Sequence, residues 1–354
     1  MSSYRIIEEA LSSGSVDVNQ RYERGTTRLI WAAKGGRSRI VQMLLARGAD
    51  TAAVDDAGLT ALHASALQGD LATARELVEA GAALDFVHKD LGSTALHTAA
   101  DIGHIDVVEI LVKAGAKLDL QANDEQTALY TAAMRGHCRV VKVLLRANAN
   151  PSLESHGATP LDAAARFNRT QVVRELLERH AVDVCGGPTR GLMALAYAVQ
   201  YHNIEIMAIL SDGGVADTQG EVLCRAVRHG REESIKFLLQ RARDAPASYA
   251  LLTRGLEQYV NFARRGDGVS PMGCCLEASS LRPFSCRIVR MLLEAGMLVN
   301  NGFAECSGGS VASITALLRD KEAQAGYDAT DDKVRGLRGI RRLLLQVDAV
   351  RAVS

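Results

Sequence analysis

The sequence predicts an all-α solenoid built from stacked helix-turn-helix units that are joined by hairpin-like loops. A motif that begins at a threonine recurs at Thr27, Thr60, Thr94, Thr127 and Thr159, with spacings of 33, 34, 33 and 32 residues. A second apolar pattern follows each motif after a short turn. Aromatic residues make up only 4% of the chain, which favours closely packed helices over a sheet sandwich. A fixed period of this length is typical of repeat architectures.

Each unit divides into a first helix, a turn and a second helix. The first helices are predicted within TRLIWAAKGG (27–36), TALHASALQG (60–69), TALHTAADIG (94–103), TALYTAAMRG (127–136) and TPLDAAARFN (159–168). The second helices, with apolar residues at i, i+3 and i+4, are predicted within 40–50, 73–84, 107–118, 140–151 and 172–184. Gly48, Gly81 and Gly115 suit the left-handed residue that follows a helix, and polar loops such as DDAG (55–58) suit a hairpin. Neither helix can bury its apolar face alone, so neighbouring units must stack.

These stretches resemble the ankyrin repeat, whose pattern is T-P-L-H-x-A-A-x-x-G-H followed by V-V-x-x-L-L-x-x-G-A. The resemblance implies an ankyrin-type solenoid of about nine units, the last of them degenerate. We expect an N-terminal capping half-repeat (1–21), five well-matched repeats (22–184), two degenerate repeats (185–243), an inserted helix (244–269), and degenerate C-terminal repeats with a capping helix (270–354). The basic amphipathic helix predicted at 332–346 is expected to be that cap, with a membrane-binding or groove-binding helix as the alternative.

Composition and charge exclude several classes of protein. The net charge is zero and the isoelectric point is about 7.1, which argues against a global field that attracts nucleic acid or an anionic membrane. The longest apolar run (192–199) is too short to span a bilayer. Seven cysteines without regular spacing predict reduced thiols in a cytoplasmic or nuclear protein. No motif of a metal site, phosphate-binding loop or catalytic nucleophile occurs, so we expect no cofactor, no metal and no catalytic residue.

The histidines of the repeated motif are predicted to be parts of the scaffold. The resemblance implies that Thr60 with His63 and Thr94 with His97 hydrogen-bond at the start of a first helix, where backbone groups lack helical partners. His104 and His137 fall at the turn, again at a position that the family fixes. The equivalents of His63 in other units are Ile30, Tyr130 and Asp162, so no ladder of histidines is available to a metal. Trp31 is expected to pack in the core, with stacking on a ligand as the alternative.

The residues that the repeat leaves variable are the candidate binding surface. In the family, side chains at the end of each first helix and at the hairpin tips point into a concave groove that binds partners. The candidate residues are Arg24, Lys34, Asp56, Leu67, Asp90, Asp101, Asp124, Met134, Arg135, His156, Arg166, Phe167 and Tyr201. Two interpretations stay open: a solvated face, or a partner surface centred on Met134, Arg135, Arg166, Phe167 and Tyr201, whose residue types are enriched at interfaces.

The function predicted on this basis is a non-catalytic scaffold or adaptor that binds another protein through the groove. We expect no nucleic-acid partner and no membrane insertion, whereas a small-molecule ligand is possible. The alternative is an enzyme or small-molecule receptor with a pocket in the degenerate C-terminal half. Residues that suit such a pocket are Tyr201, His202, His229, Tyr259 and Arg264.

Overall fold

The computed structural model describes residues 17–184, 191–215, 221–244 and 286–294, together with Arg342. Within these ranges the chain forms fifteen α-helices, one short 3-10 turn and two isolated β-bridges, with no strand, which confirms the predicted all-α class. The chain divides into two compact units, Met1–Asp183 and Val184–Ser354. Residues 1–16 of the predicted cap, nearly all of the predicted inserted helix, and the predicted helix at 332–346 apart from Arg342 lie outside the described residues. The number of units therefore stays a prediction.

The first unit carries five helix pairs, each made of a first and a second helix. They are α1 (Arg28–Lys34) and α2 (Ser38–Leu45), α3 (Ala61–Gln68) and α4 (Leu71–Glu79), α5 (Ala95–Ile102) and α6 (Ile105–Lys113), α7 (Ala128–Arg135) and α8 (Cys138–Arg146), and α9 (Pro160–Arg166) and α10 (Thr170–Val184). First helices α1, α3, α5, α7 and α9 pack in a row, and second helices α2, α4, α6 and α8 pack in a parallel row. The repeats therefore form two helical layers.

The core lies between these two layers and is made largely of leucine and alanine. The leucine two residues after each threonine is buried in all five first helices, at Leu29, Leu62, Leu96, Leu129 and Leu161. The second helices contribute Leu44, Leu77, Leu111, Leu144 and Leu176, which are also buried. Burying one leucine side chain contributes about 1.5–3 kcal/mol, so each unit depends on its neighbours for most of its stability. Alanine pairs such as Ala99 and Ala100 are fully buried, and their small side chains let adjacent first helices approach closely.

The turns contain residues in the left-handed region, as the motif predicts. Gly48, Gly81 and Gly115 follow the second helices with φ values of 77°, 78° and 89°, and Asn148 occupies the same place in the fourth repeat with φ 65°. Glycine adopts this conformation without the steric cost that a Cβ brings, and asparagine tolerates it. The helices therefore end where the sequence pattern ends.

The second unit contains helices of the same kind. They are α11 (Leu192–Gln200), α12 (Ile204–Asp212), α13 (Glu221–Arg228), α14 (Glu232–Asp244) and α15 (Cys286–Glu294). Helix α11 packs on α12 and α13, and α14 packs on α12, α13 and α15. Arg231, at the turn after α13, donates from Nη2 to the carbonyl of Gln200 at the end of α11, at 2.9 Å. The two degenerate pairs thus keep the alternation of the first unit.

Trp31 is not a core residue. Its side chain is 48% exposed, and the guanidinium of Arg37 lies over its ring, 4.0 Å from the centroid. The expectation of core packing was wrong because it treated Trp31 as an ordinary apolar position of the motif. The equivalent positions in the next four repeats hold the small residues Ala64, Thr98, Thr131 and Ala163, none of which is exposed.

Candidate functional site

The threonine of the motif fixes where each first helix starts. Because these helices have similar lengths, the threonine also determines where the candidate residues at the other end of the helix lie. The Oγ1 atoms of Thr27 and Thr127 accept hydrogen bonds from the backbone N–H three residues later, at 3.3 and 3.1 Å. Thr159 does the same, and its N–H donates to the carboxylate of Asp162 at 2.8 Å, which forms a capping box. Since every first helix has seven or eight residues, the same two positions of each repeat precede the turn.

His63 and His97 form hydrogen bonds with both ring nitrogens, one to a backbone carbonyl and the other to a threonine hydroxyl. Nε2 of His63 lies 3.1 Å from the carbonyl of Ser93, and Nε2 of His97 lies 3.0 Å from the carbonyl of Leu120. A carbonyl can only accept, so Nε2 carries the proton and Nδ1 accepts, at 2.8 Å, from the threonine hydroxyl three residues earlier. Burial lowers the pKa of both histidines below the ordinary 6.5. These neutral, fully engaged rings hold the scaffold together, as predicted.

His104 and His137 lie at turns and pack over a glycine of the preceding repeat. A Cβ atom at Gly69 would lie 2.5 Å from Nδ1 of His104, and one at Gly103 would lie 2.6 Å from Nδ1 of His137. Nε2 of His137 also lies 2.9 Å from the carbonyl of Asp101. The turn position of the motif therefore joins adjacent repeats, which confirms the scaffold interpretation of these two histidines.

The groove row is the set of residues at the ends of the five first helices of the first unit. Its members are Lys34, Leu67, Gln68, Asp101, Ile102, Met134, Arg135, Arg166 and Phe167. Several of them present apolar side chains to solvent. Leu67 is 46% exposed, Ile102 is 39% exposed and Phe167 is 43% exposed. Met134, at the equivalent place in the fourth repeat, is half-buried. Ile102 was not among the candidate residues. The flanking repeats hold the polar residues Gln68 and Arg135 at the same position, so an apolar residue there is the sequence signal that could have identified it.

Charged residues of the groove row interact with one another and with the scaffold. Arg135 donates from Nε to Oδ1 of Asp101 at 2.7 Å, and both side chains stay about half exposed. The guanidinium of Arg166 lies 5.5 Å from the ring centroid of Phe167. Asp101, Arg135, Arg166 and Phe167 therefore bring anionic, cationic and aromatic groups together on the surface.

Lys34 interacts with a buried carboxylate that the sequence did not single out. Its ammonium lies 2.7 Å from Oδ2 of Asp55, whose side chain is only 5% exposed. Burial on its own raises the pKa of Asp55, but the hydrogen bond from Lys34 and those from the N–H groups of Leu59 and Ala57 outweigh it and hold the pKa below 3.8. Lys34 therefore stabilises the hairpin loop that follows the first repeat.

Candidate residues at the hairpin tips lie in a row in which backbone groups join one tip to the next. The N–H of Asp56 donates to the carbonyl of Arg24 at 2.9 Å. The carbonyl of Asp90 accepts from Asn123 Nδ2 at 2.9 Å, and that of Asp124 accepts from Ser155 Oγ at 2.9 Å. The N–H of His156 donates to Glu125 Oε2 at 3.0 Å. The side chains of Arg24, Asp56, Asp90, Asp124 and His156 are exposed at these tips.

The second unit places one candidate residue at the surface, and the cavity described in it is lined by residues other than those of the alternative pocket. Tyr201, directly after α11, is 49% exposed, and His202 next to it has φ 59°. An open cavity of about 630 Å³ is lined by residues of α12, α14 and α15, namely Ile204, Glu233, Lys236, Phe237, Leu239, Gln240 and Met291. None of the residues proposed for a pocket lines it. Tyr259 and Arg264 lie outside the described residues.

The described ranges also bear on two other kinds of site, a metal centre and a membrane-spanning helix. No group of three or more histidine, cysteine or acidic side chains in these ranges is arranged to hold a metal ion. Among the helices that the structure describes, none is both long and apolar enough to cross a membrane. The thiol of Cys138 is half-buried and that of Cys224 is buried, and burial raises the pKa of Cys138.

Comparison with known proteins agrees with the geometry. A family model for three copies of ankyrin repeats matches residues 29–122 and 116–186. A stretch of 84 residues is 34% identical to the palmitoyltransferase AKR1 of Saccharomyces cerevisiae, and it makes up 24% of this chain but only 11% of that protein. Ankyrin repeats generally mediate protein–protein interaction. Taken with the stacked helix pairs and their turns, these matches show that residues 29–186 are ankyrin repeats.

Proposed function

We propose that the chain is a non-catalytic scaffold that captures a partner protein through the groove row of its first unit. The observation that carries this proposal is the exposure of Leu67, Ile102 and Phe167 at the ends of three first helices. Complete burial of such a side chain contributes about 1.5–3 kcal/mol, so covering the exposed part of all three gives roughly 2–4 kcal/mol of binding energy. The stretch similar to the palmitoyltransferase is short, and it supports a shared repeat rather than a shared transferase activity.

The charges beside these apolar side chains give the surface its selectivity. The bond from Arg135 Nε to Asp101 fixes the plane of the guanidinium, and a fixed guanidinium favours acceptors that lie in that plane. Arg166 is held over Phe167 in a comparable way. We infer that the partner brings carboxylates to these two arginines and apolar side chains to the neighbouring Leu67, Ile102 and Phe167. A partner with cations at the same places is rejected by like charge.

Affinity capture from a native lysate tests the proposal with the double variant Arg135→Glu/Arg166→Glu. We expect the partner to be lost, because two arginines of the groove row become carboxylates and one of them stands beside Asp101. The thermal midpoint should shift by only a few degrees, since an exposed ion pair contributes about 0–1 kcal/mol.

A matched control is the double variant Arg139→Glu/Arg146→Glu, which makes the same charge change at exposed positions of the second helix α8. It should retain the partner. Equal capture by the groove variant and the wild type, or equal loss in both double variants, would show that the groove row is not the binding surface.

A further inference from the structure

The first described repeat contains a cavity that is separate from the groove row. Its volume is about 610 Å³, and Ile40 and Leu44 of α2 form its apolar floor. The rings of Tyr22 and Trp31 form its walls, and these side chains are 45% and 48% exposed. A concave apolar site of this size with aromatic walls has the ordinary properties of a ligand pocket.

One wall of the cavity is a bulky side chain at a position that holds a small residue in the next four repeats. Trp31 stands at the position that Ala64, Thr98, Thr131 and Ala163 occupy in the next four repeats. A tryptophan side chain has only two rotatable torsions. Its half-exposed ring therefore gives a partner a large contact area, and little conformational entropy is lost when the partner covers it.

Each of the two aromatic rings is partly covered by one arginine, and the N–H groups of these arginines can still bind a ligand. The guanidinium of Arg37 lies 4.0 Å from the centroid of Trp31, and that of Arg28 lies 4.9 Å from the centroid of Tyr22. One Nη1–H of Arg28 donates to the carbonyl of Asp17 at 2.8 Å. A guanidinium that stacks on a ring keeps its N–H groups in its own plane, where they reach past the ring edge to a carboxylate.

The repeat that contains this cavity has an excess of positive charge, unlike the repeat that follows. Residues 17–50 contain seven Lys and Arg residues against three Asp and Glu residues, whereas residues 51–83 contain one against five. Glu23, which also lines the cavity, is the one acidic side chain among its lining residues that the structure describes. The first repeat therefore attracts an anionic partner although the chain as a whole has no net charge.

We propose that this cavity, the first-repeat pocket, binds an acidic peptide segment of a partner protein. One apolar side chain of the segment enters between Tyr22 and Trp31, and flanking carboxylates receive hydrogen bonds from Arg28 and Arg37. A nucleobase is the less suitable occupant, because the floor offers the alkyl groups of Ile40 and Leu44 rather than groups that pair with a base edge. The pocket goes beyond the groove proposal and does not depend on it.

Trp31 is the only tryptophan of the chain, so its fluorescence reports on the pocket directly. The full chain is titrated with the acetylated and amidated peptide EELFEE, and with the controls KKLFKK and EEAAEE. We expect EELFEE alone to shift the Trp31 emission to shorter wavelength, and the affinity to fall as salt rises. No response to EELFEE, or an equal response to KKLFKK, overturns the proposal, as does tighter binding of oligothymidylate. Binding that occurs only after removal of residues 1–16 also overturns it, because the occupant is then the chain itself.

Variants are compared by the fluorescence anisotropy of fluorescein-labelled EELFEE, since some of them lack the tryptophan. Tyr22→Ala and Trp31→Ala should each weaken binding about tenfold, as for an aromatic anchor at an interface. Arg37→Glu should abolish binding, whereas Arg47→Glu should have a small effect. Arg47 is an exposed residue of the same repeat, and its guanidinium donates to the carbonyl of Met43 instead of lying over the Trp31 ring. Glu23→Gln should strengthen binding, and a weaker affinity for this variant contradicts the proposed sign of the charge. The groove variant Arg135→Glu/Arg166→Glu should bind the peptide normally, so that failure of one proposal leaves the other intact.

Discussion

Replacement of Gly103 by alanine tests the contact that joins the third and fourth repeats. Gly103 has φ 90°, and a Cβ atom there would lie 2.6 Å from Nδ1 of His137. The left-handed backbone costs an alanine about 1–2 kcal/mol. Displacing His137 also removes its hydrogen bond to the carbonyl of Asp101, which contributes roughly 1 kcal/mol. We expect Gly103→Ala to lower the free energy of unfolding by about 2–3 kcal/mol, the sum of these two effects.

Gly115→Ala is the matched control for this change. Gly115 has φ 89°, but no atom lies within 4 Å of the position that its Cβ would take. It should therefore show the backbone cost alone, about 1–2 kcal/mol. In a His137→Ala background, Gly103→Ala should become as mild as Gly115→Ala, because the ring that blocks the methyl group is gone.

Urea unfolding of the full chain, followed by circular dichroism, gives the free energies of the wild type, the three single variants and the two double variants. Equal slopes are needed for the comparison. The reasoning is refuted if Gly103→Ala and Gly115→Ala cost the same in the wild-type background. It is refuted as well if the His137→Ala background leaves the difference between them unchanged.

Two further perturbations address buried ionisable groups. Stability should fall as the pH drops below 6.5, because burial lowers the native pKa of His63 and His97 and the unfolded chain then binds more protons; the slope is at most about 1.4 kcal/mol per pH unit for each histidine. Urea midpoints measured between pH 7 and 5 should show a shallower slope for His63→Gln, and an unchanged slope argues against this assignment. Lys34→Met should cost about 1–3 kcal/mol because it leaves the buried Asp55 carboxylate without its cation, and adding Asp55→Asn should recover part of the loss; a neutral Lys34→Met variant in thermal unfolding contradicts the role given to this pair.

The helical layers were predictable because the motif repeats, and a repeated motif averages out local ambiguity. Thr94 alone is compatible with several structures, but the same threonine at intervals of 32 to 34 residues identifies a helix start. The scaffold role of His97 followed for the same reason. Its Nδ1 accepts from the N–H of Thr94 and its Nε2 donates to the carbonyl of Leu120, and these backbone groups recur with the motif.

The side-chain contacts at the surface were less predictable than the helices, because each contact joins residues of two different repeats. The bond between Lys34 and Asp55 joins the end of α1 to the following hairpin loop, so neither residue alone indicates it. The ion pair of Asp101 and Arg135 spans 34 residues in the same way. Trp31 was misplaced because its position holds small residues that are not exposed in the next four repeats, and only the structure showed its ring exposed.

The bonds between turns have a consequence for how the chain can change length. Those from His137, Arg169 and Arg231 to carbonyls of the preceding repeat span 36, 35 and 31 residues, so each joins one repeat to the next and no further. Duplication or deletion of a whole repeat gives each surviving turn a new neighbour with the same backbone acceptor, whereas an insertion of a few residues within a helix moves donor and acceptor apart. Such a protein can gain or lose binding surface in complete modules while the fold of the remaining repeats stays intact.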